Sequence, residues 1–151
     1  MQQSMTWNIT AVTLGKQRKG GLLSSKLERQ TCERYIDAVS IRPALPDIHA
    51  QNLSGGNAQK VLFSRWMNAD PKVLIVDEPT AGVDVGAKAE IHRLLRDMVK
   101  SGVAVILISS DLSEVFAVSD RILVMREGRI VDGVATAEAT QEGILEKGLI
   151  G

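Results

Sequence analysis

The stretch VLIV at residues 73–76, followed at once by Asp77 and Glu78, constrains this chain more than any other part of it. Four consecutive apolar residues suit a strand covered on both faces, as in the centre of a parallel sheet. Two carboxylates then stand at the carboxyl end of that strand, where open parallel sheets place their ligands. Neighbouring strand residues point to opposite sides, so the two acids need not share a task. Asp77 is placed to hold magnesium, directly or through water. Glu78 is placed to orient and polarise an attacking water, which is positioning chemistry of the phosphoryl-transfer kind. Taken alone, DEP is better read as a strand that ends in solvated acids before a proline.

The surrounding pattern supplies the context. Residues 1–23 show no sustained period and read as an irregular segment, with Lys16, Arg18 and Lys19 in a solvated loop. A helix is expected over 24–39, with Ser25 and Glu28 as a capping box and Cys32, Ile36 and Val39 at core spacing. The two prolines of IRPALPDIHAQN mark a connector. A second helix follows the glycine pair at 55–56, carries Val61, Leu62 and Trp66, and stops at Asp70 and Pro71. Trp66 and Met67 are expected at its interface with the sheet. Beyond VLIV come a helix at 87–100, a strand at 103–109, and a short helix capped by Asp111 and Glu114. Two strands joined near Glu127 and Gly128 precede a helical tail carrying Ile144 and Leu145. Helix and strand in alternation predict an α/β fold with a mostly parallel sheet and flanking helices.

Bulk properties exclude several classes. At 151 residues the chain is about one domain. Eighteen Lys+Arg against eighteen Asp+Glu give zero formal charge, so nothing points to a nucleic-acid-binding surface. A lone cysteine, Cys32, rules out an internal disulfide and fits a reducing compartment. No apolar run approaches the roughly 20 residues that span a bilayer, and the N-terminus lacks a signal-peptide layout. A cytoplasmic location is the expectation.

LSGGNAQK, residues 53–60, is the second chemical feature. A serine and two glycines at a helix start leave free backbone N–H groups and permit close approach of an anion. By itself SGG is equally an ordinary N-cap followed by flexible glycines. LSGGNAQK, one helix, VLIVDEP and then AGVD, in that order, resemble the second half of the nucleotide-binding domain in the ATP-binding cassette (ABC) transporter family. In that family the three motifs are the signature, Walker B and the D-loop. The asparagine in NLSGGN and the run GVDVGAKAEIHRLL are most similar to carbohydrate importers, particularly the second cassette of tandem sugar-import ATPases.

The resemblance implies a partial P-loop NTPase-like fold, one incomplete nucleotide-binding domain. Its divisions would be residues 1–23, a helical subdomain over 24–69 with the signature, and an α/β lobe over 70–151. Ser54, Gly55, Gly56, Asn57 and Asp84 would face nucleotide, Asp77 would bind magnesium, and Glu78 would be catalytic, with Ser110 at the position of the family's switch histidine. ATP and magnesium would be the cofactors of the intact assembly. The partners would be a second cassette, a membrane permease and, indirectly, a periplasmic sugar-binding protein. The site would lie at the inner face of the membrane, and the intact protein would couple ATP hydrolysis to carbohydrate uptake.

Two departures limit what this chain does alone. Nothing in it matches G-x-x-x-x-G-K-[ST], the loop that cradles β- and γ-phosphates; Gly15-Lys16 is followed by Gln17, and the first glycine position is Thr10. The glutamine-bearing Q-loop is missing too, so ATPase activity of the chain by itself is not expected. Strands such as 73–76 would lack neighbours and show an apolar face that favours self-association. The family's switch histidine is replaced by Ser110, which cannot carry the charge of an imidazolium. His49 and His92 are expected at the surface. An alternative to the importer reading is a non-enzymatic interaction or regulatory module that pairs with an intact cassette through the signature face and Asp84.

Overall fold

The computed structural model describes residues 2–149 and groups them into two compact units. The first comprises residues 1–74 and 79–106, the second residues 75–78 and 107–151. The 85–100 helix falls in the first unit, with the helices that precede VLIV.

The first unit is built on four helices: α1 (Met5–Thr10), α2 (Ser25–Ala38), α3 (Gly55–Ala69) and α4 (Val85–Lys100). Its core joins Met5 and Ile9 of α1, Cys32, Ile36 and Val39 at and just beyond α2, Ile41, and Val61 of α3. The N-terminal segment expected to be irregular therefore holds a core helix. Six residues are too few to display a period, and a helix so short is held by its packing rather than by propensity. Arg65 of α3 fixes it further, with Nε donating to the Asn8 carbonyl and Nη2 to Asn8 Oδ1, each at 2.6 Å. Arg18–Lys19 (β1) and Leu22–Leu23 (β2) then form a small antiparallel hairpin over the glycine pair at 20–21.

Helix α2 starts one residue earlier than the capping-box expectation. Ser24 is the N-cap and accepts from Leu27 N–H, while Glu28 Oε1 instead accepts from the Thr10 hydroxyl at 3.2 Å. A tertiary partner for the glutamate displaces the local cap. Helix α3 ends where expected, on Asp70 in the left-handed conformation. Trp66 departs from expectation. It is 44% exposed, while Met67 does pack against the core. His92 is buried rather than superficial, because it shares the inward stripe of α4 with Ile91, Leu95 and Met98.

Strands β3 (Val73–Asp77) and β4 (Ala104–Ile108) pair only with each other among the described residues. Ala104 N–H donates to Lys72 O, and Glu78 N–H to Ile108 O. Both partners advance along the chain together, so the strands run parallel. Coverage of VLIV is one-sided. Leu74 is buried, but Val73 is 55% and Ile75 63% exposed, with Ile106 and Ile108 about half exposed beside them. The expectation of a strand covered on both faces fails here, because no described element lies over this side.

In the second unit, β5 (Arg121–Arg126) and β6 (Arg129–Ala135) form the expected antiparallel hairpin. Glu127 and Gly128 both have positive φ at its turn, as a type I′ turn requires. Ile122, Val124 and Ile144 make its core with Leu112, Val115 and Phe116; these come from the strands, from α5 (Leu112–Val118) and from α6 (Gln141–Leu149). Lys147 of α6 pairs with Asp132 of β6. The hydrogen bond from that ammonium, then one from the Gly133 backbone, hold the Asp132 carboxyl below its ordinary value.

Candidate functional site

The predicted site residues fall into two groups, one in each unit. In the first, Ser54 is the N-cap of α3. Its Oγ accepts from Asn57 N–H at 3.5 Å and from Asn57 Nδ2 at 3.0 Å. Asn57 is oriented in turn by Arg42 N–H, which donates to Oδ1 at 2.8 Å. A hydroxyl has two acceptor positions and one hydrogen. Both acceptor positions of Ser54 are thus engaged from within the motif, which leaves its hydrogen as the outward group.

Asp84 plays the same local part for α4, accepting from Ala87 N–H at 2.9 Å. The two helix starts lie against each other. A Cβ on Gly55 would stand 3.4 Å from Gly82 O, and one on Gly56 only 2.5 Å from Ala87 Cβ. Gly56 is therefore demanded by helix packing, a reason the sequence pattern did not reveal. Farther along, Lys60 Nζ lies 2.6 Å from Glu90 Oε2 and 3.0 Å from Ser40 O. Sequence reasoning missed this bridge. A signal was present: Gly56, Lys60 and Ser64 recur every four residues, and all three are buried.

In the second unit, Asp77 ends β3 and is exposed, while Glu78 is half-buried. Glu78 has φ of +46°, a conformation uncommon for a residue with a side chain and found disproportionately at functional sites. The Ser110 backbone N–H donates to Glu78 Oε1 at 2.6 Å. Position 110 thus reaches the glutamate through its main chain. The loop is braced by Ser109, whose hydroxyl donates to Glu114 Oε2 at 2.6 Å and accepts from Asp111 N–H at 3.1 Å. Glu114 is almost fully buried. The expected cap of α5 forms, with Glu114 N–H on Asp111 Oδ1.

A magnesium site typically takes one or two carboxylates and completes its octahedron with water and phosphate oxygens. Asp77 fits as one such donor. No group of three or more His, Cys, Asp or Glu converges among the described residues. Lys16, in the nearest glycine–lysine pair, donates to the Asn68 carbonyl at 2.9 Å and is anchored to the end of α3. A cleft of about 590 Å³ near Trp7, Lys26 and Arg29 has none of the motif residues in its lining. No described helix is long and apolar enough to cross a membrane.

Comparison with known proteins identifies the family. Residues 2–81 match the family model described as ABC transporter. The chain is 45% identical over 96% of its length to the ribose import ATP-binding protein RbsA of Bacillus subtilis, and it spans 29% of that relative. Among solved structures, cbiO1 from Clostridium perfringens, part of the ABC transporter complex cbiONQ, superposes with a TM-score of 0.72 at 28% identity. That match covers 97% of this chain and 57% of the other. A dimeric post-hydrolysis state of the ATP-binding cassette MJ0796, bound to ADP and Pi, gives a TM-score of 0.74 at 19% identity, covering 89% of this chain and 57% of that one. The P-loop NTPase fold class expected from the sequence is the fold of these neighbours.

Proposed function

The chain belongs to the ABC transporter family, and from that premise we propose that it is the signature-and-Walker-B portion of a sugar-importer ATP-binding subunit, from the second cassette of a tandem protein. The intact protein would couple ATP binding and hydrolysis to carbohydrate uptake, with a permease and a sugar-binding protein as partners. The observation that carries the reading is the pairing of two motif-bearing helix starts in one unit, Ser54 capping α3 beside Asp84 capping α4. That surface is complete without a phosphate cradle.

In this reading the Ser54 hydroxyl and the Gly55 and Gly56 amides meet the terminal phosphate of ATP held by another cassette, and Asn57 holds the serine in its donor state. Asp84 lies at the same contact. Asp77 is the carboxylate for magnesium, which when bound would neutralise charge on the phosphates. Glu78, held by the Ser110 amide, orients water. The chain alone binds nucleotide weakly or not at all, because no residue of it replaces G-x-x-x-x-G-K-[ST].

The test is a pair of titrations. Mg-ATP added to the chain alone gives no saturable heat, whereas an intact cassette of this family loaded with Mg-ATP pairs with the chain. Ser54→Arg abolishes that pairing while costing only about 1 kcal/mol of stability through loss of the cap. Saturable Mg-ATP binding by the isolated chain, lost in Asp77→Ala, overturns the division of labour. Pairing indifferent to Ser54→Arg overturns the role of the signature surface.

A further inference from the structure

The bridge between Lys60 and Glu90 lies outside every residue to which the motifs assign a role, yet it joins the two helices that carry the signature and D-loop positions. Lys60 is the sixth residue after the N-cap Ser54, and Glu90 the sixth after the N-cap Asp84. The contacts between α3 and α4 advance together, from Gly56 against Ala87 to Lys60 against Glu90. The helices therefore run side by side in the same sense and present both N-termini at one end. Their dipoles are aligned, so they add nothing to the attraction between the helices.

Gly56 permits the close approach at Ala87, near the helix starts, and a second contact is needed to hold the helices farther along. The ammonium of Lys60 is directional. Its side chain is 8% exposed and lies between Glu90 Oε2 at 2.6 Å and the carbonyl of Ser40 at 3.0 Å. Ser40 itself has φ of +53° at the end of α2, and it brings a third element to the same nitrogen. A buried charge with one partner removed is costly, so sliding α4 along α3 by one residue is penalised sharply.

We propose that Lys60 is a positioning residue. Through Glu90 and Ser40 it sets the register of α3 against α4, and so the spacing of Ser54 from Asp84. The inference rests on the proposed pairing function for its purpose, but not for its test.

Amide hydrogen exchange on the full 151-residue chain reads it directly, with the first-turn amides of Asn57, Ala58, Ala87 and Lys88 as reporters. Lys60→Met keeps the aliphatic stem and removes the charge. Exchange at the four reporters is expected to rise about tenfold, while Cys32 and Ile36 of α2 stay within about twofold. Lys60→Arg, which keeps the charge, returns the reporters to within about threefold of the parent. Glu90→Gln reproduces the pattern of Lys60→Met, and the double variant adds nothing further, as expected for two ends of one contact.

A uniform rise at all sites, or none at the reporters, overturns the proposal, as does a Glu90→Gln variant with parental exchange. Should Lys60→Met not fold, Glu90→Gln and Lys60→Arg decide the matter, because Glu90→Gln keeps a side-chain oxygen acceptor beside Lys60 Nζ, with the Ser40 carbonyl still in place. The readout needs no nucleotide and no partner. Failure to pair with an ATP-loaded cassette would thus sink the proposed function and leave the positioning role standing, and the reverse result would do the opposite.

Discussion

Gly56 offers the sharpest check on the packing argument. A Cβ there would lie 2.5 Å from Ala87 Cβ and 3.8 Å from Ala87 Cα. Carbon atoms pack comfortably at about 3.5–4.0 Å, so Gly56→Ala forces α3 and α4 apart by about 1 Å. Overfilling a packed interface costs about 1–3 kcal/mol. The new alanine recovers at most about 1 kcal/mol of helix propensity, and less near a helix start. The net loss is about 1–2 kcal/mol. Urea unfolding at unchanged slope measures it. The reciprocal variant Gly56→Ala/Ala87→Gly supplies the control: it removes the clash by moving the methyl group from one helix to the other. If packing is the reason for Gly56, the two substitutions couple favourably by about 1–3 kcal/mol. A Gly56→Ala chain as stable as its parent, or a strictly additive double variant, refutes the reasoning. Gly56 would then be needed only for backbone approach to a ligand.

Two further outcomes follow from other parts of the molecule. Burial pushes the Cys32 thiol from 9.0 up to about 11, so the stabilisation it reports is whole below pH 9.0 and is lost as pH rises toward the folded value. Between about pH 8 and pH 10.5 the parent should lose about 2 kcal/mol more than Cys32→Ala in urea unfolding; equal losses would show that the thiol does not feel its burial. Val73 and Ile106 lie on the open side of β3 and β4, so Val73→Lys/Ile106→Lys should reduce concentration-dependent association in sedimentation while shifting the unfolding free energy by less than about 1 kcal/mol. A large loss of stability would mean that this face is covered in the isolated chain.

The elements were legible where local chemistry decides them. The turn at Glu127 and Gly128, the stop at Asp70 and the cap at Asp111 all appear where the sequence put them, because each depends on residues within a few positions. The motif order was legible for the same reason, and it led to the family that the comparison bears out. The α1 helix was not legible. Its two core residues, Met5 and Ile9, become a helix face only against α2 and α3. The start of α2 shifted because Glu28 found a partner in Thr10 eighteen residues away. His92 and Trp66 exchanged their expected environments, since the direction of a helix face is set by what packs on it.

The site divides along the same line. Sequence by itself determined which residue types stand at one helix start and one strand end: Ser54, Gly55 and Gly56 at the former, Asp77 and Glu78 at the latter, whereas the capping role of Asp84 emerged only in the structure. Those depend on backbone geometry that short segments specify. Only the tertiary structure decided that Gly56 serves helix packing, that Lys60 and Glu90 link the two motif helices, and that position 110 holds Glu78 by its main chain. Each is a contact between segments about thirty residues apart in sequence. No local propensity encodes such a distance, which is fixed only when the helices and strands close on a common core.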